Sequence, residues 1–309
     1  MRNIVLRLFH GFLVVAFISI ITFLILRLLP GDPVYLLLGE GQIQISEEQI
    51  QAIRSKWGLD LPLHQQYFIW LRSMLAGDFG TSLIRTGVPI REMLLEAGVV
   101  TAVLNTYAIL IALVISIPVG VIAAFKRNTF FDYITMFGTT LGVAIPNFWL
   151  ALMLIILFSL TLRWLPPFGL RSWQGYILPV VVLATEQTAV LTRIMRGAML
   201  DVLDEDYIRT ASSKGITQGR ILMRHAVPNA LLPVVSVVGF QIAFLLSGTI
   251  VVETVFALPG LGRLLTDSVF RHDYQVVQSL VVLLSILVVI ANLVTDFVYM
   301  VIDPRIRAH

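Results

Sequence analysis

Long apolar runs separated by shorter polar stretches dominate the pattern of this 309-residue chain. A bilayer core of roughly 30 Å is crossed by a helix of about 20 apolar residues, so each run is a candidate membrane span. Pro146 predicts a kink or a helix end in the third run, and Glu186 and Arg193 make the fourth the most polar. The pattern predicts six spanning helices, at about residues 11–29, 99–125, 133–162, 176–195, 230–252 and 276–302.

Basic residues near the ends of these runs indicate the orientation of the chain. Loops rich in Lys and Arg stay in the cytoplasm, so both termini are predicted to be cytoplasmic. The first run is too long for a typical secretory signal and lacks a small-residue cleavage site, so it is expected to be retained. The basic side holds Arg2, Arg7, Lys126, Arg127, Arg196, Arg209, Lys214, Arg220, Arg224, Arg305 and Arg307, against Arg163, Arg171, Arg263 and Arg271 in the short loops opposite.

The segment 30–98 would lie outside the membrane in this orientation. It mixes acidic, aromatic and turn residues and is expected to fold against the spans. Residues 46–49 (SEEQ) before a periodic apolar stretch resemble a capped helix start, and 65–74 are typical of a short amphipathic helix. No linker or internal repeat divides the sequence, so a single domain over 1–309 is predicted, with this segment as an insertion.

The composition agrees with a location in lipid. With 57% hydrophobic and 13% charged residues, the chain has too little polar surface to cover a water-soluble globule. The absence of cysteine excludes disulfides, thiolate metal sites and thiol nucleophiles. The net charge of +3 is accounted for by topology, so no nucleic-acid partner is expected. The five histidines are scattered without an i, i+4 pair, and no metal site is expected.

The longest cytoplasmic connection, residues 197–229, has a helical pattern. An acidic stretch is followed by apolar residues at helical spacing, Gly215 interrupts them, and a second such stretch runs to Pro228. The pattern predicts two short helices joined at Gly215. A helix lying along the membrane surface, with Arg220 and Arg224 on its polar side, can be held in the groove of a soluble partner protein.

This connection resembles the cytoplasmic signature of the inner-membrane permeases of binding-protein-dependent ABC importers. That signature is E-A-A-x-x-x-G, then nine residues and I-x-L-P; Gly215 takes its glycine and Pro228 its last proline. Although the glutamate is absent, residues 206–211 and 224–230 are similar to the variant of the dipeptide, oligopeptide and nickel branch. Arg209, Thr210 and Ala211 stand at the E-A-A positions, and His225 and Val227 at the Ile and Leu positions.

Other motifs resemble the same branch and occur in the right order, so the resemblance spans the whole chain. They are LPGDP at 29–33, GDFG at 77–80, IPNFW at 145–149, PGLGR at 259–263 and DPRIR at 303–307.

The resemblance implies an all-α integral membrane protein with the type I ABC importer permease fold, in the inner (plasma) membrane of a bacterium. It implies as partners a homologous second permease subunit, two ATP-binding subunits, an extracytoplasmic solute-binding protein and the lipid bilayer. The chain lacks G-x-x-x-x-G-K-[ST], so no cofactor is expected on it, and ATP and magnesium are expected in the ATPase subunits. The chain itself is then not an enzyme.

The resemblance also implies which residues couple the permease to its ATPase. The helix around 211–224 would dock in a cleft of an ATPase subunit, and ATP-driven closure of the ATPase pair would switch the spans between inward- and outward-facing states. The predicted coupling residues are Arg209, Thr210, Ala211, Lys214, Gly215, Arg220, Arg224, His225 and Pro228.

Polar residues inside the spans are candidates for the translocation pathway. A carboxylate costs a few kcal/mol at the bilayer centre, so Glu186 should face a partner or a wet cavity, with a structural ion pair or hydrogen bond as the alternative. Asn147 and Gln241 are candidates for the same pathway, and helix packing is their alternative role. Glu253, at the outer end of the fifth span, is interpreted as a hydrated helix end.

Several functions remain open at this point. The leading hypothesis is half of an importer pathway for dipeptides, oligopeptides or a related small solute. A nickel or glutathione permease of the same branch is an alternative. An ion-coupled secondary transporter would want internal repeats and more buried ionisable groups, and an intramembrane enzyme would need motifs such as G-x-S-x-G or H-E-x-x-H that the sequence lacks.

Overall fold

A computed structural model describes residues 2–28, 51, 60–82, 84, 85 and 87–302, and their regular structure is helical apart from one isolated bridge between Thr81 and Pro89. The predicted all-α class is therefore confirmed. The helices are α1 (Arg2–Leu28), α2 (Leu63–Leu75), α3 (Ile90–Phe125), α4 (Phe130–Ala144), α5 (Asn147–Leu154), α6 (Ile177–Leu203), α7 (Asp206–Ser213), α8 (Gln218–Ile221), α9 (Val227–Val255), α10 (Leu261–Phe270) and α11 (Tyr274–Ile302).

Among the described residues, five helices are long and apolar enough to cross a membrane, and the bent pair α4–α5 makes a sixth span if its two helices cross together. This agrees with the six predicted spans, although several helices are longer than their apolar runs. Helix α3 begins at Ile90 rather than near 99, and α6 ends at Leu203 rather than near 195. Hydropathy marks the part of a helix in lipid, whereas backbone hydrogen bonding continues it into water.

The third span is broken rather than merely kinked. Helices α4 and α5 meet at an angle of 100° around Pro146. A proline disfavours helical backbone in the residue before it, and Ile145 accordingly has extended angles (φ −78°, ψ 119°). Beyond α5 the chain continues as a π-helix over Ile155–Thr161. The kink or helix end predicted at Pro146 is confirmed, and two helix ends meet there.

The chain divides into two compact units. The first comprises Met1–Val99 and Arg263–Val289. In it, α2 confirms the amphipathic helix predicted at 65–74 and packs on α1, with the ring of Phe23 centred 5.4 Å from that of Tyr67. The helix start predicted at 46–49 and the motifs at 29–33 and 303–307 lie outside the described residues.

The second unit comprises Val100–Gly262 and Ile290–His309. One hydrophobic cluster joins α3, α5, α6 and the end of α9, with Leu104 and Val182 fully buried. A second cluster joins α3, α6 and α9 to the short helices α7 and α8. The connection between the fourth and fifth spans is therefore packed into the core of this unit. The prediction of a single domain over 1–309 stays a prediction.

Candidate functional site

The predicted joint at Gly215 is a helix-ending turn that favours glycine. Gly215 has φ +76°, a left-handed conformation in which a side chain is strained. Its N–H donates to the carbonyl of Ser212 at 3.0 Å, and the N–H of Ile216 donates to that of Ala211 at 3.3 Å. These two bonds form a Schellman motif, which ends α7 and turns the chain into α8.

The two short helices are only partly as predicted. Helix α7 is a separate amphipathic helix, with Ile208 and Ala211 on its buried side. Helix α8 has four residues and runs through a π-helical turn, Leu222–Ala226, directly into α9. The second short helix is therefore the first part of the fifth span's helix, because no glycine or proline interrupts the backbone between 220 and 227.

The inner side of this segment is anchored to α6. Ile208, Ala211 and Ile221 share a buried cluster with Met195 and Met199, both of which are fully buried. An apolar contact of this kind makes the short helices move with the end of α6, since a packed core has little room to deform.

The outer side of the segment is exposed and basic. Of the predicted coupling residues, Ala211 is buried and His225 is half-buried, so these two support the segment from within. At the end of the segment, Asn229 donates a hydrogen bond from Nδ2 to the His225 carbonyl at 2.7 Å. The other seven predicted coupling residues are exposed and together form the coupling surface: Arg209, Thr210, Lys214, Gly215, Arg220, Arg224 and Pro228.

A buried ion pair next to this segment was not predicted from the sequence. Asp132, on α4, is only 2% exposed. Arg196, on α6, holds it with two hydrogen bonds, from Nε to Oδ1 at 2.6 Å and from Nη2 to Oδ2 at 2.7 Å. The backbone N–H of Asn128 adds a third at 3.0 Å. The signal available in the sequence was the position of Asp132, an acid at the start of an apolar run.

The structure brings two of the three predicted pathway residues together. Asn147, at the start of α5, donates from Nδ2 to Glu186 Oε2 at 2.8 Å. Glu186 lies on the exposed side of α6. Gln241 is half-buried on α9, and no hydrogen bond connects it to either residue in the described part of the chain.

The interpretation of Glu253 as a hydrated helix end is wrong. Its side chain is fully buried, and Thr101 Oγ1 donates to its Oε1 at 2.6 Å. The same hydroxyl accepts the N–H of Leu261 at 2.9 Å, at the start of α10. A Cβ on Gly260 would collide with the Glu253 carboxyl group. The 259–262 turn therefore folds back over the end of α9 and shields this carboxylate from water.

The described residues bring no three potential metal-ligating His, Asp or Glu side chains together. His10, His64, His225 and His272 lie on different elements, and His309 lies outside the described part.

Comparison with known proteins gives the family. Residues 116–308 match the family described as binding-protein-dependent transport system inner membrane component, and residues 1–93 match its N-terminal companion. The chain belongs to the inner-membrane permeases of binding-protein-dependent ABC importers. Such a permease is the non-catalytic, multi-pass inner-membrane component of an importer that also contains ATP-binding subunits and a solute-binding protein.

Similar permeases are related over almost their whole length. The oligopeptide transport system permease protein AppB of Bacillus subtilis (strain 168) is 41% identical over 300 residues, which cover 94% of each chain. The glutathione transport system permease protein GsiC of Escherichia coli (strain K12) is 40% identical over 309 residues, which cover 99% of each chain. The family and branch predicted from the motifs are therefore confirmed.

A solved structure of the MetNI methionine ABC transporter, in an inward-facing conformation, shares the fold of this permease. It matches with a TM-score of 0.59 at 18% identity, over 68% of this chain and 96% of that one. The predicted ABC permease fold is confirmed on this ground.

Proposed function

We propose that this permease forms half of the membrane pathway of an ATP-driven importer for peptides, together with a homologous second permease subunit. The observation that carries the proposal is the coupling surface, which is exposed and basic on one side and packed on α6 on the other. A surface of this kind can be moved by a bound soluble protein and can transmit this movement to a membrane-spanning helix.

Two ATP-binding subunits are proposed to move the coupling surface. The permease sequence has no phosphate-binding loop, so ATP and magnesium would be held in these subunits and not by this chain. An extracytoplasmic solute-binding protein would deliver the solute on the opposite side. In this arrangement both termini and the coupling surface face the cytoplasm, as the distribution of Lys and Arg predicts.

Peptides are the proposed solute class. The relatives at about 40% identity are named for oligopeptide and for glutathione transport. Because glutathione is itself a small peptide, one pathway chemistry suits both. Glutathione is the second candidate solute, supported by the alignment with GsiC over 99% of each chain. Glu186, Asn147 and Gln241 are proposed to line the pathway.

A cross-linking experiment tests the coupling proposal. The chain contains no cysteine, so a single one can be placed without background. In membranes that contain the complete importer, Lys214→Cys labelled with a maleimide that carries a photoreactive benzophenone is expected to cross-link to an ATP-binding subunit on illumination. Arg171→Cys, exposed in the predicted external loop, is the matched control and should give no such product. No cross-link from position 214, with or without ATP, would contradict the proposal.

A further inference from the structure

Helix α6 carries two opposite charges on the exposed part of a membrane-spanning helix. Glu186 and Arg193 are both exposed, and no described side chain forms an ion pair with either. An ionised group within a span costs a few kcal/mol if it faces lipid. These side chains therefore face water or a charged partner when the protein is in the membrane.

The two charges share one side of α6 at a defined separation. Positions seven apart lie within about 20° of each other around a helix and about 10.5 Å apart along it. An extended peptide advances about 3.3–3.6 Å per residue, so the ends of a peptide of about three residues are separated by a similar distance. Flexible Glu and Arg side chains adapt this spacing to somewhat shorter or longer peptides.

Glu186 is also oriented by the break in the third span. Asn147 holds its Oε2, and Oε1 has no hydrogen-bond donor among the described atoms. The last turn of α4 ends in the same break, where a helix leaves carbonyl groups without intrahelical donors. A carboxylate oxygen that has no donor suits an ammonium group, which offers hydrogen-bond donors and a positive charge.

We propose that Glu186 and Arg193 bind the two charged ends of a peptide within the pathway, with the α-ammonium group at Glu186 and the α-carboxylate at Arg193. Asn147 is a positioning residue that orients the Glu186 carboxylate. The inference rests on the proposed function, because it requires that the solute is a peptide. It adds to that function a contact for each terminus and a reason for charged residues on the exposed side of α6.

Peptides with blocked ends test this directly. The two permease subunits and the two ATP-binding subunits are placed together in lipid nanodiscs without nucleotide, and binding of radiolabelled trialanine, N-acetyl-trialanine and trialanine amide is measured. Glu186→Gln is expected to weaken trialanine binding by about tenfold and to leave N-acetyl-trialanine binding unchanged, because the acetylated peptide has no ammonium group for Glu186 to bind. Arg193→Gln is expected to weaken trialanine binding by a similar factor and to leave the binding of trialanine amide unchanged.

Glu96→Gln, which changes another exposed glutamate, is the matched control and should alter none of the three affinities. Equal weakening of blocked and free peptides would overturn the proposal, since it would mean that Glu186 and Arg193 hold protein surfaces together. Failure of trialanine to bind the unmutated importer at about 10 mM would also overturn it.

The proposed function is tested separately by uptake of trialanine into proteoliposomes that contain the solute-binding protein. If no peptide is imported, the proposed function fails together with the inference. If peptides are imported but the variants do not distinguish free from blocked ends, only the inference fails.

Discussion

Gly215 shows what one residue contributes to the coupling surface. Its left-handed backbone (φ +76°) ends α7, and a Cβ added to it would meet no atom within 4 Å. Glycine is therefore favoured at this position by the backbone conformation and not by lack of space. Replacement by another residue costs about 1–2 kcal/mol in this conformation, and asparagine tolerates it better than most residues do.

Gly215→Val is expected to leave membrane insertion intact and to lower the number of peptides imported per ATP several-fold, because the strained turn displaces Lys214 and Arg220. Gly215→Asn also adds a side chain, but asparagine tolerates the left-handed backbone, so this variant is expected to lower the number of peptides imported per ATP much less. The measurement is uptake and ATP hydrolysis in the same proteoliposomes. An unchanged ratio for Gly215→Val would show that the turn has no part in coupling.

Helix α6 is one of the elements that connect the coupling surface to the rest of the second unit. It has 27 residues, about 40 Å in length. Near its end it packs on α7 and α8 through Met195 and Met199, and one residue from Met195 it holds α4 through the Arg196–Asp132 pair. A displacement of the coupling surface therefore reaches α4 through a short, buried contact.

Breaking this pair is expected to lower both stability and transport. Removing one partner of a buried ion pair costs about 3–5 kcal/mol, somewhat less here because Arg196 is 22% exposed. Asp132→Ala should therefore lower the midpoint of thermal unfolding of the importer and its uptake rate. The charge swap Asp132→Arg with Arg196→Asp should recover part of both.

The exposed pair Arg127–Asp204, 3.8 Å apart, supplies the control. Asp204→Ala should change stability by about 1 kcal/mol or less. If both alanine variants had equal and small effects, the Arg196–Asp132 pair would not link α4 to α6.

The topology of the whole protein depends on the bent pair α4–α5. If this pair crosses the membrane, the described helices form six spans, and α1 begins on the side where α11 ends. If the pair enters and leaves on one side, the described helices form five spans, and these two helix ends lie on opposite sides. The excess of Lys and Arg near both ends and in 196–224 favours six spans.

Single-cysteine labelling distinguishes the two topologies. With a membrane-impermeant maleimide on spheroplasts, Asp60→Cys is expected to react at once, whereas Arg2→Cys and His309→Cys should react only after permeabilisation. Labelling of His309→Cys, but not of Arg2→Cys, in intact spheroplasts would establish five spans.

The sequence by itself determined the lipid-buried helices, because hydropathy and length depend on local composition alone. It also determined the helix break at Pro146 and the turn at Gly215, since proline and glycine restrict or free the backbone wherever they occur. The family followed from spaced motifs along the whole chain, and the alignment over 99% of GsiC confirms it.

Tertiary structure alone decided which polar side chains meet. Asp132 and Arg196 are 64 residues apart, and Thr101 and Glu253 are 152 apart, so no local pattern predicts these pairs. Glu253 lies at a helix end and was expected in water, yet the 259–262 turn buries it. Glu186 lies within a span and remains exposed. A carboxylate's burial and partners depend on which distant helices pack beside it, and only the folded chain specifies that.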